Sequence, residues 1–239
     1  MTIYLFDLDG TLTPPRLPMT QEFESFFATW ASTHRCFIAT GSDFKKVLEQ
    51  VSSETLDLFD GIYCSMGNVL WKKGEFVYKN TMPDNPELFQ QLEEYRKNTK
   101  YPHKLFDNYI EKRDGMINFS VLGRNCPYSD REQYFAYDKN SGERESIRLE
   151  LLKKFPEYDI SIGGMISMDI TLKGRGKEQV AGCLRKEYPN EKIIFFGDKT
   201  EKGGNDYTLA QAVLQLPNTQ VVQVSGPQDV QKILGEIDG

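Results

Sequence analysis

A chain of 239 residues, 39% hydrophobic and 27% charged, has room for one large or two modest domains and the balance of a soluble, packed protein. Its net charge of −6 excludes a nucleic-acid binder that depends on a broad basic surface. No stretch approaches the roughly 20 apolar residues that span a membrane, and "LFDLDG" puts charges where a signal peptide needs an apolar centre, so a cytoplasmic protein off the membrane is expected.

In chain order, "TIYLF" reads as a strand ending at Asp7. Phe23, Phe26, Phe27 and Trp30 in "QEFESFFATWAS" have the spacing of a helix with one buried face. "CFIATGSDF" is a second strand entering a Gly-Ser-Asp turn, and "FKKVLEQVS" is a helix. "NPELFQQLEEYRKN" is another helix, followed by "YIEKRDGMINFSV", two alternating runs joined at Asp114-Gly115. That dipeptide predicts a tight hairpin with both turn residues at positive φ. One long helical region is predicted through "ESIRLELLKKF", in whose charge-mixed stretch Arg144 and Arg148 read as solvated surface, as does Arg185 further on. The run "ISMDITL" then alternates, with Ser167, Asp169 and Thr171 on one face and Ile166, Met168, Ile170 and Leu172 on the other. "IIFFGDKT" is a late strand ending in Gly-Asp.

Short apolar strands alternating with helices indicate an α/β core, a doubly wound and mostly parallel sheet. Hairpin, helix and strand between about Met82 and Gly174 form an α+β insertion, leaving residues 1–81 and 175–239 as the core. Cys36, Cys64, Cys126 and Cys183 are scattered without a Cys-x-x-Cys pair, which points to ordinary thiols in a reducing compartment. His34 and His103 are the only histidines, so chemistry based on a histidine pair has little to work with.

The chemistry begins with "FDLDGT". Buried carboxylates need a partner or a task, and ligands of open α/β sheets bind beyond the carboxyl ends of the strands. Asp7, the Thr40–Ser42 turn and Asp198 all fall at such ends. Carboxylates converging there, Asp9 among them, call for a cation, and an oxygen-only set favours Mg²⁺. Asp7 and Asp9 can divide the work, one attacking phosphorus and the other serving as acid or base. Gly10 permits a sharp turn, while Thr11, Thr40 or Ser42 and Lys177 are candidate donors to phosphoryl oxygens. A lone Asp-x-Asp is often a cap or a surface turn, but "GTLT", "TGSD" and "GDKTEKGGND" together favour the catalytic reading.

"FDLDGTLTPPR", "GSDFKKVLEQ" and "FFGDKTEKGGND" resemble the haloacid-dehalogenase superfamily of phosphotransferases. "RDGMINFSVLGRNC", "GGMISMD" and "GDKT" with "GGND" narrow the resemblance to the eukaryotic-type phosphomannomutases, from Ile3 to about Tyr207. The resemblance implies Asp7 as nucleophile, Asp9 as acid/base with its carbonyl on the metal, Asp198 as a further Mg²⁺ ligand, and Asn205 and Asp206 as supports of that site. It implies Lys177 as the phosphate-neutralising lysine. Arg16, Arg113, Arg124 and Arg131 would grip the hexose phosphate, and Ser167 and Asp169 the sugar hydroxyls. A mobile cap, a hexose 1,6-bisphosphate activator, a role in supplying mannose 1-phosphate for GDP-mannose, and a homodimer formed through the cap follow from the same likeness.

Four departures accompany it: "GRGK" in place of "GWDK", Thr40 where the mutases have glycine, "CSMGN" without "ENG", and no aspartate and threonine for a second cation loop after "GGNDY". Thr40 and the altered loops support an alternative, a sugar-phosphate phosphatase on the same scaffold. A non-catalytic phosphate acceptor or sensor is a third reading, against which Asp9 argues.

Overall fold

The "TIYLF" run forms β1 (Thr2–Phe6) in the computed structural model, which describes residues 1–237. It lies inside a seven-stranded sheet with β2 (Arg35–Ala39), β3 (Gly61–Cys64), β4 (Val69–Lys72), β5 (Glu75–Lys79), β10 (Lys192–Gly197) and β11 (Thr219–Gln223), in the order β11-β10-β1-β2-β3-β4-β5. The first five of these are parallel, and β4 and β5 run antiparallel at one edge. Strands covered on both faces read as continuous apolar runs. Accordingly Ile3 and Leu5 join one core cluster while Tyr4 and Phe6 join the other.

Helices α1 (Gln21–Ala31), α2 (Phe44–Gln50), α3 (Ser53–Leu56) and α9 (Pro227–Ile237) carry apolar residues into the Phe6 cluster; α7 (Gln179–Glu187) and α8 (Tyr207–Leu214) serve the Leu5 cluster. The predicted face of α1 is the buried one: Phe27 is fully inside, and Phe23 and Trp30 nearly so. Each such side chain contributes about 1.5–3 kcal/mol when fully buried. The Thr20 hydroxyl accepts from the Phe23 amide at the start of α1, and the Asp43 carboxylate from the Lys46 amide at the start of α2.

These elements form one compact unit, built from Met1–Asn80 and the chain from Arg175 onward. The second unit is Thr81–Gly174. It has a four-stranded antiparallel sheet, β6 (Ile110–Arg113), β7 (Met116–Phe119), β9 (Ser167–Leu172) and β8 (Tyr158–Gly163) in that order. Helices α4 (Pro86–Lys97), α5 (Tyr128–Ser141) and α6 (Glu143–Lys154) belong to the same unit. Their Leu88, Leu92, Tyr134, Ile147 and Leu151 share one core cluster with Ile117, Phe119, Ile160, Met168 and Ile170 of the sheet. The doubly wound parallel sheet and the α+β segment inserted in it are therefore both present.

Four local expectations are corrected. The hairpin turns at Asp114-Gly115 with Arg113 opposite Met116, but only Gly115 has positive φ (70°). The long helix is two helices, because Gly142 takes a left-handed conformation (φ 67°) between α5 and α6. The strand β9 has an unforeseen hairpin partner in β8. Arg144 is no surface residue: 3% exposed, it pairs with Asp138 at 2.8 Å and donates to the carbonyls of Gly163, Gly164 and Ser167. A break between helices that share a core turns a side chain inward, which a charge-mixed pattern does not reveal.

Candidate active site

Because β1 is an inner strand, the residue after it emerges at the carboxyl edge of the sheet, and Asp7 is only 2% exposed there. The loop beyond closes tightly, the amides of Leu12 and Thr13 donating to the Leu8 carbonyl at 3.0 Å each, and the Gly10 amide to Thr13 at 2.8 Å. Gly10 has φ +90°, and a Cβ on it would lie 2.5 Å from Asp198 Oδ2. Glycine is required on both counts. Gly10→Ala is expected to cost at least about 2 kcal/mol of stability and most activity, measured by urea unfolding and turnover, since Asp198 must move.

Lys177, 1% exposed, reaches in from the segment before α7 and donates to Asp7 Oδ1 and Asp206 Oδ1, each at 2.5 Å. Asp198 follows β10, whose residues pair in register with β1. Asp7, Asp198 and Asp206 offer oxygens lying within 4.8 Å of one another. Three carboxylates thus face two ammonium groups, the buried Lys177 and the half-exposed Lys199, whose Nζ lies 3.4 Å from Asp198 Oδ2. Burial, reinforced by Asp206 and opposed by Lys177, pushes the Asp7 carboxyl up to about 8. Burial likewise raises Asp198. Burial alone would lower Lys177, but Asp206 and Asp7 outweigh it and hold its proton above the ordinary lysine range.

Among the described residues, Asp7 Oδ2, Asp198 Oδ1, Asp206 Oδ2 and Asn205 Oδ1 are buried without a hydrogen-bond partner. Buried acceptors left unsatisfied are costly. Several of them converging in an all-oxygen set with excess negative charge fit a hard divalent cation. The structure differs from the sequence reading in one respect: the third carboxylate of this cluster is Asp206, not Asp9. The Asp9 carboxylate turns elsewhere, accepting from the Arg16 amide (2.7 Å), Gln50 Nε2 (3.0 Å) and Ser42 Oγ (3.3 Å). Arg16 thus meets Asp9 through its backbone, at φ 64°. Thr40 is buried, its hydroxyl accepting from the Ser42 amide at 3.1 Å, so it shapes its own turn. The Thr11 hydroxyl is buried with no partner among the described residues.

In the second unit the polar side of the sheet gathers most of the remaining candidates. Arg124 Nη1 donates to Asn118 Oδ1 (2.6 Å) and Ser167 Oγ (3.1 Å), and Asn118 Nδ2 donates to Asp169 Oδ1 (2.6 Å). Arg113 and Arg124 both pair with Glu111, at 3.2 and 2.5 Å. Arg131 donates to the Arg124 carbonyl at 2.5 Å. Ser167 and Asp169 share a face as predicted, yet they are 4% and 8% exposed. Burial, the largest influence, raises the Asp169 carboxyl, against the pull of Arg113 and Asn118.

Residues 23–238 match the family model Eukaryotic phosphomannomutase. A Drosophila melanogaster protein named phosphomannomutase is 36% identical over 245 residues, covering 98% of this chain and 94% of that protein. A Caenorhabditis elegans protein named probable phosphomannomutase is 34% identical over 257 residues, covering 99% and 97%. The chain belongs to the eukaryotic phosphomannomutase family. The resemblance read from its motifs is borne out. Fold likeness extends to a HAD-superfamily subclass IIB sugar phosphatase, with TM-score 0.60 and 17% identity, covering 100% of this chain and 99% of that one. The phosphomannomutase model begins after the Asp7 loop, so that loop's kinship rests on the two relatives that span the chain.

Three site residues of this family member went unnoticed in the sequence. Gln50 is 2% exposed and its amide also donates to Thr13 Oγ1 (3.1 Å) and the Leu17 carbonyl (3.3 Å), which ties Asp9 to its own loop. As one polar residue at a helix end, it carries no local signal. Asn118 and Glu111 do carry one: the alternation of their strands puts both on the face of Arg113, opposite Ile117 and Phe119.

Proposed function

We propose that the chain interconverts mannose 6-phosphate and mannose 1-phosphate, and glucose phosphates with them, through a hexose 1,6-bisphosphate. The observation that carries this is the buried Asp7 at the end of β1, one oxygen held by Lys177 and the other unpartnered, in a protein of this family. Asp7 Oδ2 attacks phosphorus, the bond to the sugar oxygen breaks, and an aspartyl phosphate remains. Asp9 gives its proton to the departing oxygen, then takes one from the hydroxyl that attacks the aspartyl phosphate in the reverse step. Lys177, with the Thr11 hydroxyl and the Ser42 turn, offsets charge on the transferring group.

Asp7 and Asp198, with the Asp9 carbonyl, would hold Mg²⁺, and Asp206 and Asn205 would support the site. Bound there, the ion neutralises phosphoryl oxygens and lowers repulsion from the attacking carboxylate. Removing divalent ions with EDTA is expected to abolish turnover and lower the melting temperature by several degrees. Restoring Mg²⁺ should recover both, and an indifferent melting curve would count against this ligand set.

A mutase must hold the second phosphate of its bisphosphate while the first is transferred. We assign that task to Arg113, Arg124 and Arg131, with Arg16 assisting and Ser167 and Asp169 meeting sugar hydroxyls, because guanidinium grips phosphate with paired donors. Arg124→Ala is expected to reduce mutase turnover about 100-fold while leaving the fold intact by circular dichroism. Full mutase activity would remove these arginines from the site.

The deciding experiment is phosphorus NMR with mannose 1-phosphate, Mg²⁺ and a trace of glucose 1,6-bisphosphate. Mannose 6-phosphate establishes the mutase, whereas inorganic phosphate alone establishes the phosphatase reading. Action in the cytoplasm is supported by four free cysteines, and no helix among the described residues is long and apolar enough to cross a membrane. A homodimer through the inserted unit is part of the same reading. Sizing chromatography showing only a 27.5 kDa species would overturn it.

A further inference from the structure

We propose that Glu111 is a built-in competitor for the substrate phosphate held by Arg113 and Arg124, and that it sets how readily that phosphate is released. The inference rests on the reading of those arginines as phosphate-binding groups. Glu111 Oε1 accepts from Arg113 Nε at 3.3 Å, and Oε2 from Arg113 Nη2 at 3.2 Å and Arg124 Nε at 2.5 Å. A carboxylate and a phosphate present similar paired oxygens to a guanidinium fork. Glu111 therefore occupies donors that an incoming phosphate would use.

Its position in the sheet is set by register. Glu111 stands opposite Asn118, Asn118 opposite Asp169, and Asp169 opposite Ser161, a polar row across all four strands. Asn118 links the row by accepting from Arg124 and donating to Asp169. The formal charges of Arg113, Arg124, Glu111 and Asp169 cancel. A site made for tight retention of a phosphate dianion would leave two guanidinium groups uncompensated. This one keeps both ordered on an internal carboxylate, which limits the ordering cost of binding but opposes the ligand electrostatically. The consequence suits a mutase. A hexose bisphosphate must release one end and present the other, and an interaction equally strong at every stage would stall that exchange.

The test is binding of glucose 1,6-bisphosphate in Mg²⁺ buffer, by titration calorimetry and stopped-flow dissociation, in an Asp7→Asn background where no phosphate moves. Added to it, Glu111→Gln keeps the side chain's shape and one acceptor but removes the charge. It is expected to bind about tenfold more tightly, with slower dissociation. With Asp7 intact, the same change should lower KM and kcat together, a pattern that mere loosening of the sheet would not produce. Glu111→Asp, charged but one methylene shorter, provides the second variant should the glutamine form fold poorly, with intermediate affinity expected. Unchanged or weaker binding in the Glu111 variants, while Arg124→Ala still weakens it, overturns the competitor role alone. Arg124→Ala binding like its parent overturns the phosphate reading of the arginines, and the competitor role with it.

Discussion

Asp7→Asn is expected to abolish phosphoryl transfer, lowering turnover by at least about 10⁴-fold, because the carboxamide has the shape of the nucleophile without its charge. Stability should move in the opposite sense at alkaline pH. Burial and Asp206 raise the Asp7 carboxyl to about 8, well above its unfolded value. A group raised on folding contributes stability that is fully present below the unfolded value of 3.8 and is lost as pH rises through about 8. The cation-free parent should therefore weaken between pH 6 and pH 9, and the asparagine variant should weaken less. Urea unfolding in EDTA at the two pH values reads this directly. Equal pH dependence in both proteins would show that Asp7 does not hold the excess proton.

Lys177→Met should be the most damaging single change to the fold among the site residues. The lysine is the one ammonium between Asp7 and Asp206, and all three side chains are at most 3% exposed. Methionine fills similar volume but leaves the buried Asp206 carboxylate without its counter-charge and Asp7 without its hydrogen-bond donor. Breaking a buried pair in this way costs about 3–5 kcal/mol. In EDTA the urea midpoint should fall accordingly, and Mg²⁺ should restore part of the loss because the remaining carboxylates can share it. Turnover should be lost with or without the ion. A midpoint unchanged in EDTA would mean that Lys177 is not the electrostatic keystone of the cluster.

The legible part of this molecule was the part written in repeating pattern or in short motifs. β1 and α1 follow from apolar spacing alone, and Asp7, Lys177 and Asp198 lie in loops whose glycines and aspartates stand out. The short strands β3 to β5 gave little periodic signal, and β8 was hidden although Tyr158, Ile160 and Ile162 alternate with Asp159 and Ser161. Partnerships were harder still. Nothing near Asp9 in the chain announces Gln50, because the contact joins the end of α2 to a loop 41 residues away. Nor does composition tell a solvated arginine from Arg144, which fills its valences with backbone carbonyls. Pattern reports which face an element buries. It does not report which polar groups meet on that face.

The pairing of β1 with β10 has a consequence for synthesis. Ile3 pairs with Arg35 of β2 soon after it is made, but Thr2 lies opposite Lys192, so β1 finds the neighbour on its other edge only about 190 residues later. At about 5–20 residues per second, that interval is roughly ten to forty seconds. The inserted unit is contiguous in the chain, and all its strands and helices leave the ribosome within that wait. Asp7, meanwhile, is translated long before Lys177, Asp198 and Asp206 exist to complete its surroundings. A nascent or prematurely terminated chain thus carries Asp7 but none of its partners from beyond Gly174, and it can neither complete the cluster nor cover the edge of β1 that β10 occupies. Chaperone capture of such chains, mapped by ribosome-associated crosslinking, should concentrate on β1 and end once β10 has emerged.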